Sequence, residues 1–159
     1  MGIREELKIS KALGPGHELA LAILLTREYV SHIQEKEVFE PEGLSSQQYN
    51  LLRILRGGPV EGYMIKELRE RVIYRFADVP RLVNRLQAQK LVQRTPCPHD
   101  KRGSMVRITE KGLALEARVH ERLDGLMEEL ERALKPEERD RLLEYLERLR
   151  ADYKDRLEG

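Results

Sequence analysis

The segment PHDKRGSMVRITEKG, residues 98–112, sets Asp100 two positions before Arg102, with Lys101 between them. A carboxylate so placed can take a charge-assisted hydrogen bond from a neighbouring guanidinium and fix its direction. Upstream, Asp78, Arg81, Asn84 and Arg85 recur at helical spacing, again one acid among donors. Guanidinium groups and amides in fixed directions bind planar acceptors and anions; they do not break covalent bonds.

The charge distribution says which anion. The chain carries a formal net charge of only +1, yet residues 53–111 hold fourteen Lys or Arg against six Asp or Glu. The middle is therefore strongly basic and the two ends are acidic, a pattern suited to a polyanionic partner for the middle. No phosphate-cradling glycine loop, no Ser-His-Asp order and no paired catalytic acids stand out, which points away from an enzyme. No apolar run approaches the roughly 20 residues of a membrane span, and the start lacks a signal-peptide core. With a single cysteine and hence no internal disulfide, a reducing cytoplasm is the expected compartment.

These groups need elements to hold them. Helical spacing of Leu19, Ile23, Leu24, Val30 and Ile33 predicts a long helix from His17 to about Phe39. Gly14-Pro15-Gly16 separates it from a short helix or arm over residues 3–13. Ser45 with Gln48 forms a capping box for a helix that turns Tyr49, Leu52 and Leu55 inward and stops at Gly57-Gly58-Pro59. A short helix around Met64 to Val72 centres on Leu68. Val79, Leu82, Val83 and Leu86 then make an amphipathic stripe, with Asp78 as N-cap and Pro80 in the first turn. Residues 91–95 and 104–108 are expected to pair as strands, joined by a loop holding Pro96, Pro98 and Gly103. Thr109 caps the next helix, and Gly112 permits close packing. Val119, Leu123, Leu126, Leu130 and Leu134 form one seam, and Leu142, Leu146, Leu149, Tyr153 and Leu157 another. That is more apolar stripe than one small domain covers, so a partner subunit is implied.

The order helix, short helix, amphipathic helix and hairpin is that of a winged helix-turn-helix, whose second helix of the pair lies in the DNA major groove. The expected architecture is mainly α with a small β-hairpin wing. Residues 1–43 and 113–159 form flanking dimerisation helices, and 44–112 the DNA-binding domain. Opposite the apolar stripe lie Asp78, Arg81, Asn84 and Arg85. Arg81 suits a guanine edge or a phosphate; Asp78 suits a cytosine amino group or serves only as the cap. Lys101 and Arg102 at the wing tip fit the adjacent minor groove, where the negative potential favours Arg, and Asp100 would orient an arginine.

Leu44-Ser45 with Gln48, Asp78-Val79, Arg81-Leu82-Val83, Arg85-Leu86, Leu91-Val92 with Arg94, Asp100-x-Arg102, and Arg107-Ile108-Thr109 with Gly112 resemble the MarR family of transcriptional regulators. The resemblance covers essentially the whole chain and is strongest over residues 44–112. It implies a dimer with intertwined first and last helices, bound to a pseudopalindromic operator. It further implies a repressor, released in many relatives by a small aromatic ligand or an oxidant. Three departures stand out. Lys90 replaces a usual Gly, which predicts an ordinary backbone there; Pro80 replaces a hydroxyl residue; and Lys135 replaces the Ser that caps the last helix.

Within that frame, Tyr29, His32, Ile33 and Tyr49 are candidates for an aromatic-effector pocket, although residues so placed are more often ordinary core residues, and the sequence names no ligand. Cys97 lies between two prolines beside Arg94 and Lys101, a setting that can make a thiol reactive, which leaves a redox-sensing regulator as an alternative. Cys97 and His99 give two metal ligands where about four are needed, and His17, His32 and His120 are scattered, so neither metal nor other cofactor is expected. A helical protein-binding dimer and an architectural DNA binder remain as rivals.

Overall fold

Local signals set most element boundaries in the computed structural model, which describes residues 2–97 and 100–158, the side chains of 100–102 and 158 excepted. The chain divides into two compact units, the first running through His120 and the second from Glu121.

In the first unit a one-turn helix α1 (Ile3–Glu6) precedes α2 (Pro15–Gln34). Gly14 is the N-cap of α2 and Pro15 its first residue, where a missing N–H leaves nothing unsatisfied. The helix continues beyond Gln34 as a π-helical turn, Glu35–Phe39, which carries Val38 and Phe39 into the core. A short 3₁₀ turn follows and ends at Gly43.

Helix α3 (Ser46–Arg56) starts at the expected capping box. The Gln48 N–H donates to Ser45 Oγ at 3.2 Å, and the Ser45 N–H donates to Gln48 Oε1 at 3.0 Å. Strand β1 (Tyr63–Met64) leads into α4 (Ile65–Arg71), and α5 (Val79–Ala88) buries all four residues of its predicted stripe. Strands β2 (Val92–Cys97) and β3 (Asp100–Ile108) form the wing. The sheet is antiparallel with order β1-β3-β2, pairing Tyr63 with Val106 and Val92 with Ile108. Leu51, Leu52, Leu68, Val79, Val83, Leu86, Val92, Val106 and Val119 are fully buried and make one core under the sheet and helices.

Three expectations change here. The sheet has a third strand, β1, too short to carry a period-2 signal. Pro96 and Gly103 belong to strands rather than to the wing loop, and Pro98 lies outside the described residues. Proline is tolerated because β2 is an edge strand, and the register slips at a bulge between Pro96 and Cys97. Lys90, expected to have ordinary backbone, sits in the left-handed region at φ 63°. The Lys90 N–H donates to the Gln87 carbonyl and the Leu91 N–H to the Leu86 carbonyl, both at 2.9 Å. This is the Schellman end of α5, which requires the left-handed conformation whatever residue occupies the position.

Helix α6 (Glu110–Arg132) begins in the first unit and crosses into the second, where α7 (Pro136–Glu158) follows. In place of a hydroxyl cap, Glu138 accepts from the Lys135 N–H at 2.9 Å, so the acid at the third helical position satisfies the helix start. Arg139 pairs with Glu131 at 2.6 Å, joining the end of α6 to the start of α7.

Candidate nucleic-acid interface

Burial of Val79, Leu82, Val83 and Leu86 against the core turns the opposite face of α5 outward, and Asp78, Arg81, Asn84 and Arg85 are all exposed on it. Asp78 Oδ1 accepts from the Arg81 N–H at 3.1 Å, which makes Asp78 the helix cap. Asn84 Oδ1 accepts from Arg94 Nη2 of β2 at 2.7 Å. That bond ties the exposed face of α5 to the wing and fixes the direction of the Asn84 amide. Arg94 belongs to the sequence pattern, but its partner could not be read there, because nothing local relates residue 94 to residue 84.

The two ends of α5 are clamped. At its C-terminus, Lys111 Nζ donates to the Gln89 carbonyl at 2.9 Å. The Thr109 hydroxyl faces the Lys90 and Leu91 carbonyls at 2.8 and 3.1 Å and accepts from the Gly112 N–H at 3.1 Å. Gly112 is required, since a Cβ there would collide with the Leu91 carbonyl. At the N-terminal end, the buried Asn50 side chain of α3 accepts from the Ile73 N–H at 3.1 Å and holds the connector between α4 and α5. Asn50 was missed by sequence reasoning; its one signal is an amide next to Tyr49 on an otherwise apolar inward face.

The preceding helix carries further cations. Lys66 and Arg69 of α4 are exposed, and Arg71 lies over the Tyr63 ring, 4.4 Å from its centroid. The wing supplies its backbone: β3 begins at Asp100, so Asp100, Lys101 and Arg102 sit at the hairpin end, while their side chains lie outside the described residues. Cys97, at the end of β2, is a half-buried free thiol. His99 lies outside the described residues, and among the described ones no three His, Cys, Asp or Glu gather as metal ligands. No helix among the described residues is long and apolar enough to cross a membrane.

The effector candidates are placed in two environments. Tyr49 is buried, its ring tilted against that of Phe39 with centroids 5.2 Å apart and its hydroxyl 3.2 Å from His120 Nδ1. Tyr29, His32 and Ile33 are exposed on α2, and the Tyr29 hydroxyl donates to Glu6 at 2.5 Å. That hydrogen bond, with lesser help from burial and the Glu6 charge, raises the Tyr29 phenol above its ordinary pKa. A depression of about 550 Å³ opens beside Gly2, Ile3, Arg4, Lys8 and Glu18, and none of the four candidates lines it.

No family model matches the sequence, and no curated protein matches it either. Solved structures do. The PcaV transcriptional regulator from Streptomyces coelicolor, solved with its natural ligand, has a TM-score of 0.77 at 21% identity, over 89% of this chain and 97% of PcaV. Sco3205, a MarR family transcriptional regulator from Streptomyces coelicolor solved in complex with DNA, has a TM-score of 0.73 at 22% identity, over 87% of this chain and 88% of its own. A cysteine-to-serine mutant of MarR from E. coli, complexed with operator DNA, has a TM-score of 0.73 at 23% identity, over 82% of this chain and 92% of MarR. The chain has the winged helix-turn-helix fold of the MarR-family transcriptional regulators.

Proposed function

We propose that this protein is a MarR-family, sequence-specific DNA-binding regulator without enzymatic activity, acting as a homodimer on an inverted-repeat operator, and that it is a repressor relieved by a small aromatic effector. The observation that carries the DNA reading is the exposed polar face of α5, clamped at both ends and tied to the wing through Asn84 and Arg94. Arg81 and Arg85 supply bidentate donors for guanine edges or phosphates, and Asn84 an amide for adenine. Asp78 caps the helix and keeps one carboxylate oxygen for a cytosine amino group. Lys101 and Arg102 enter the minor groove beside it, with Asp100 directing Arg102. Two of the similar folds were solved on DNA, which supports the same use here. The dimer rests on the apolar residues that α2 and α7 expose; among the described residues neither helix buries a side chain in the single chain. Dimerisation sets the two copies of α5 about 34 Å apart, one turn of DNA. The effector reading rests on the ligand-bound PcaV fold and on the aromatic and imidazole groups Tyr29, His32 and Tyr49, with Ile33.

Binding to duplexes selected from a random pool tests the docking. Arg81→Ala is expected to cost about 1–3 kcal/mol and to relax base preference at one position of each half-site. Arg102→Ala is expected to weaken all duplexes and to lower the salt dependence of binding. Unchanged affinity and preference in both variants would refute this docking.

A further inference from the structure

Phe76 is the most exposed large apolar residue described, at 90%, and it sits two residues before the Asp78 cap of α5. A connector of this kind ordinarily places Gly, Asn, Asp or Ser at its tip. Here the Ala77 N–H donates to the Tyr74 carbonyl at 2.9 Å, closing a turn in which Phe76 is the third residue. The same connector is anchored by the Ile73 N–H on the buried Asn50. Arg75 Nη1 donates to the Glu70 carbonyl at 2.8 Å, so the neighbouring cation folds back onto the end of α4 and leaves the ring uncovered. The ring is thus presented on a fixed backbone, not on a loose loop.

The surroundings decide what it meets. The turn leads directly into the end of α5 that bears Arg81, and exposed Arg69 and Lys66 lie on the helix before it. A protein partner with an apolar pocket would have to bury those cations too, whereas a nucleic-acid groove neutralises them. The N-terminal end of a recognition helix is the end that reaches base edges in the major groove. One apolar group is displayed there, the 5-methyl of thymine, and Phe is among the side chains that contact it.

We infer that Phe76 reads a thymine methyl at the edge of each half-site, adding an apolar element to the polar readout by α5. The inference rests on the DNA-binding function proposed above and names part of its specificity.

The test uses a duplex selected by the full-length protein and the same duplex with every thymidine replaced by deoxyuridine, which removes methyl groups alone. Wild type is expected to lose about fourfold in affinity per methyl contacted, roughly fifteenfold for both half-sites together. Phe76→Ala is expected to bind the thymidine duplex about that much more weakly and to show no thymidine-to-deoxyuridine difference. Phe76→Leu, which keeps an apolar group, is expected to retain part of the difference, and the exposure of the ring leaves folding intact in both variants. If Phe76→Ala binds DNA with the wild-type thymidine preference, the inference falls and the DNA-binding function stands. Equal binding of both duplexes by wild type has the same meaning. If wild type retains no duplex from the pool, both fall. A wild type without thymidine preference that self-associates beyond the dimer, with Phe76→Ala removing that association, would overturn the inference and assign the ring to a protein contact.

Discussion

Leucine is used in opposite ways in two regions of this molecule. In residues 44–112, Leu51, Leu52, Leu68 and Leu86 are completely buried, and the buried Val79, Val83, Val92 and Val106 complete the set. In the helices outside it, Leu24 is 58% exposed, Leu143 55% and Leu157 71%. α2 has twenty residues and buries none of them. The winged region therefore supplies most of the core of the first unit, with Val38, Phe39, Leu115 and Val119 added from outside it, while α2 and α7 present apolar surface that a single chain leaves in water. In the dimer proposed above, core packing and association draw on different side chains, and substitutions should separate them.

The largest effect is expected at the centre of the winged core. Leu68→Ala should cost about 2–5 kcal/mol in chemical denaturation, with no dependence of the loss on protein concentration. Leu24→Ala and Leu143→Ala should cost far less per dissociated chain but should lower the melting temperature more as the protein is diluted, because they weaken association. A concentration-independent loss in the flanking variants as large as that of Leu68→Ala would erase the contrast.

Ion pairs sharpen the same contrast. Glu116 of α6 is 1% exposed and pairs with Arg56 of α3 at 2.5 Å, so the pair reaches into the winged core. Arg56→Ala strands a buried carboxylate and should cost about 3 kcal/mol, toward the lower end for a broken buried pair because Arg56 itself is half exposed. Arg118 pairs with Glu42 at 3.1 Å, its guanidinium mostly in solvent and the carboxylate only partly so, and Arg118→Ala should cost less, about 1 kcal/mol. Equal losses by calorimetry would show that the pair on Glu116 is effectively solvated.

The smallest effect has the opposite sign. Lys90 holds a left-handed conformation that Gly adopts without a Cβ penalty, so Lys90→Gly should stabilise by about 0.5–1 kcal/mol, read as a rise in melting temperature.

What the sequence revealed divides along the range of the interactions. The Ser45 capping box, the Asp78 cap and the Thr109–Gly112 helix start are set within four residues and the α5 stripe by steps of three and four, and all four are read correctly from the chain. The left-handed Lys90 was missed because substitution of the usual Gly suggested an ordinary backbone, while the carbonyls of Leu86 and Gln87 impose the turn. Strand β1 exists only through its pairing with β3, and Gly62 just before it is required twice over, by its φ of 85° and because a Cβ there would strike the Val106 carbonyl. Asn50 on the Ile73 N–H and Arg94 on Asn84 join residues separated by 23 and 10 positions, beyond any periodic signal. The polar face of α5 was legible as a set of residues; the wing bond that orients its amide was not.

Operator-specific binding by two chains is tested by titrating the full-length protein against a fragment of its own upstream promoter and a scrambled fragment, at two salt concentrations, with the stoichiometry read by sedimentation. The expected result is two chains per site, a clear preference for the promoter, and affinity that falls steeply between about 50 and 200 mM salt. Failure to bind either fragment at low salt, or binding by single chains, would contradict it.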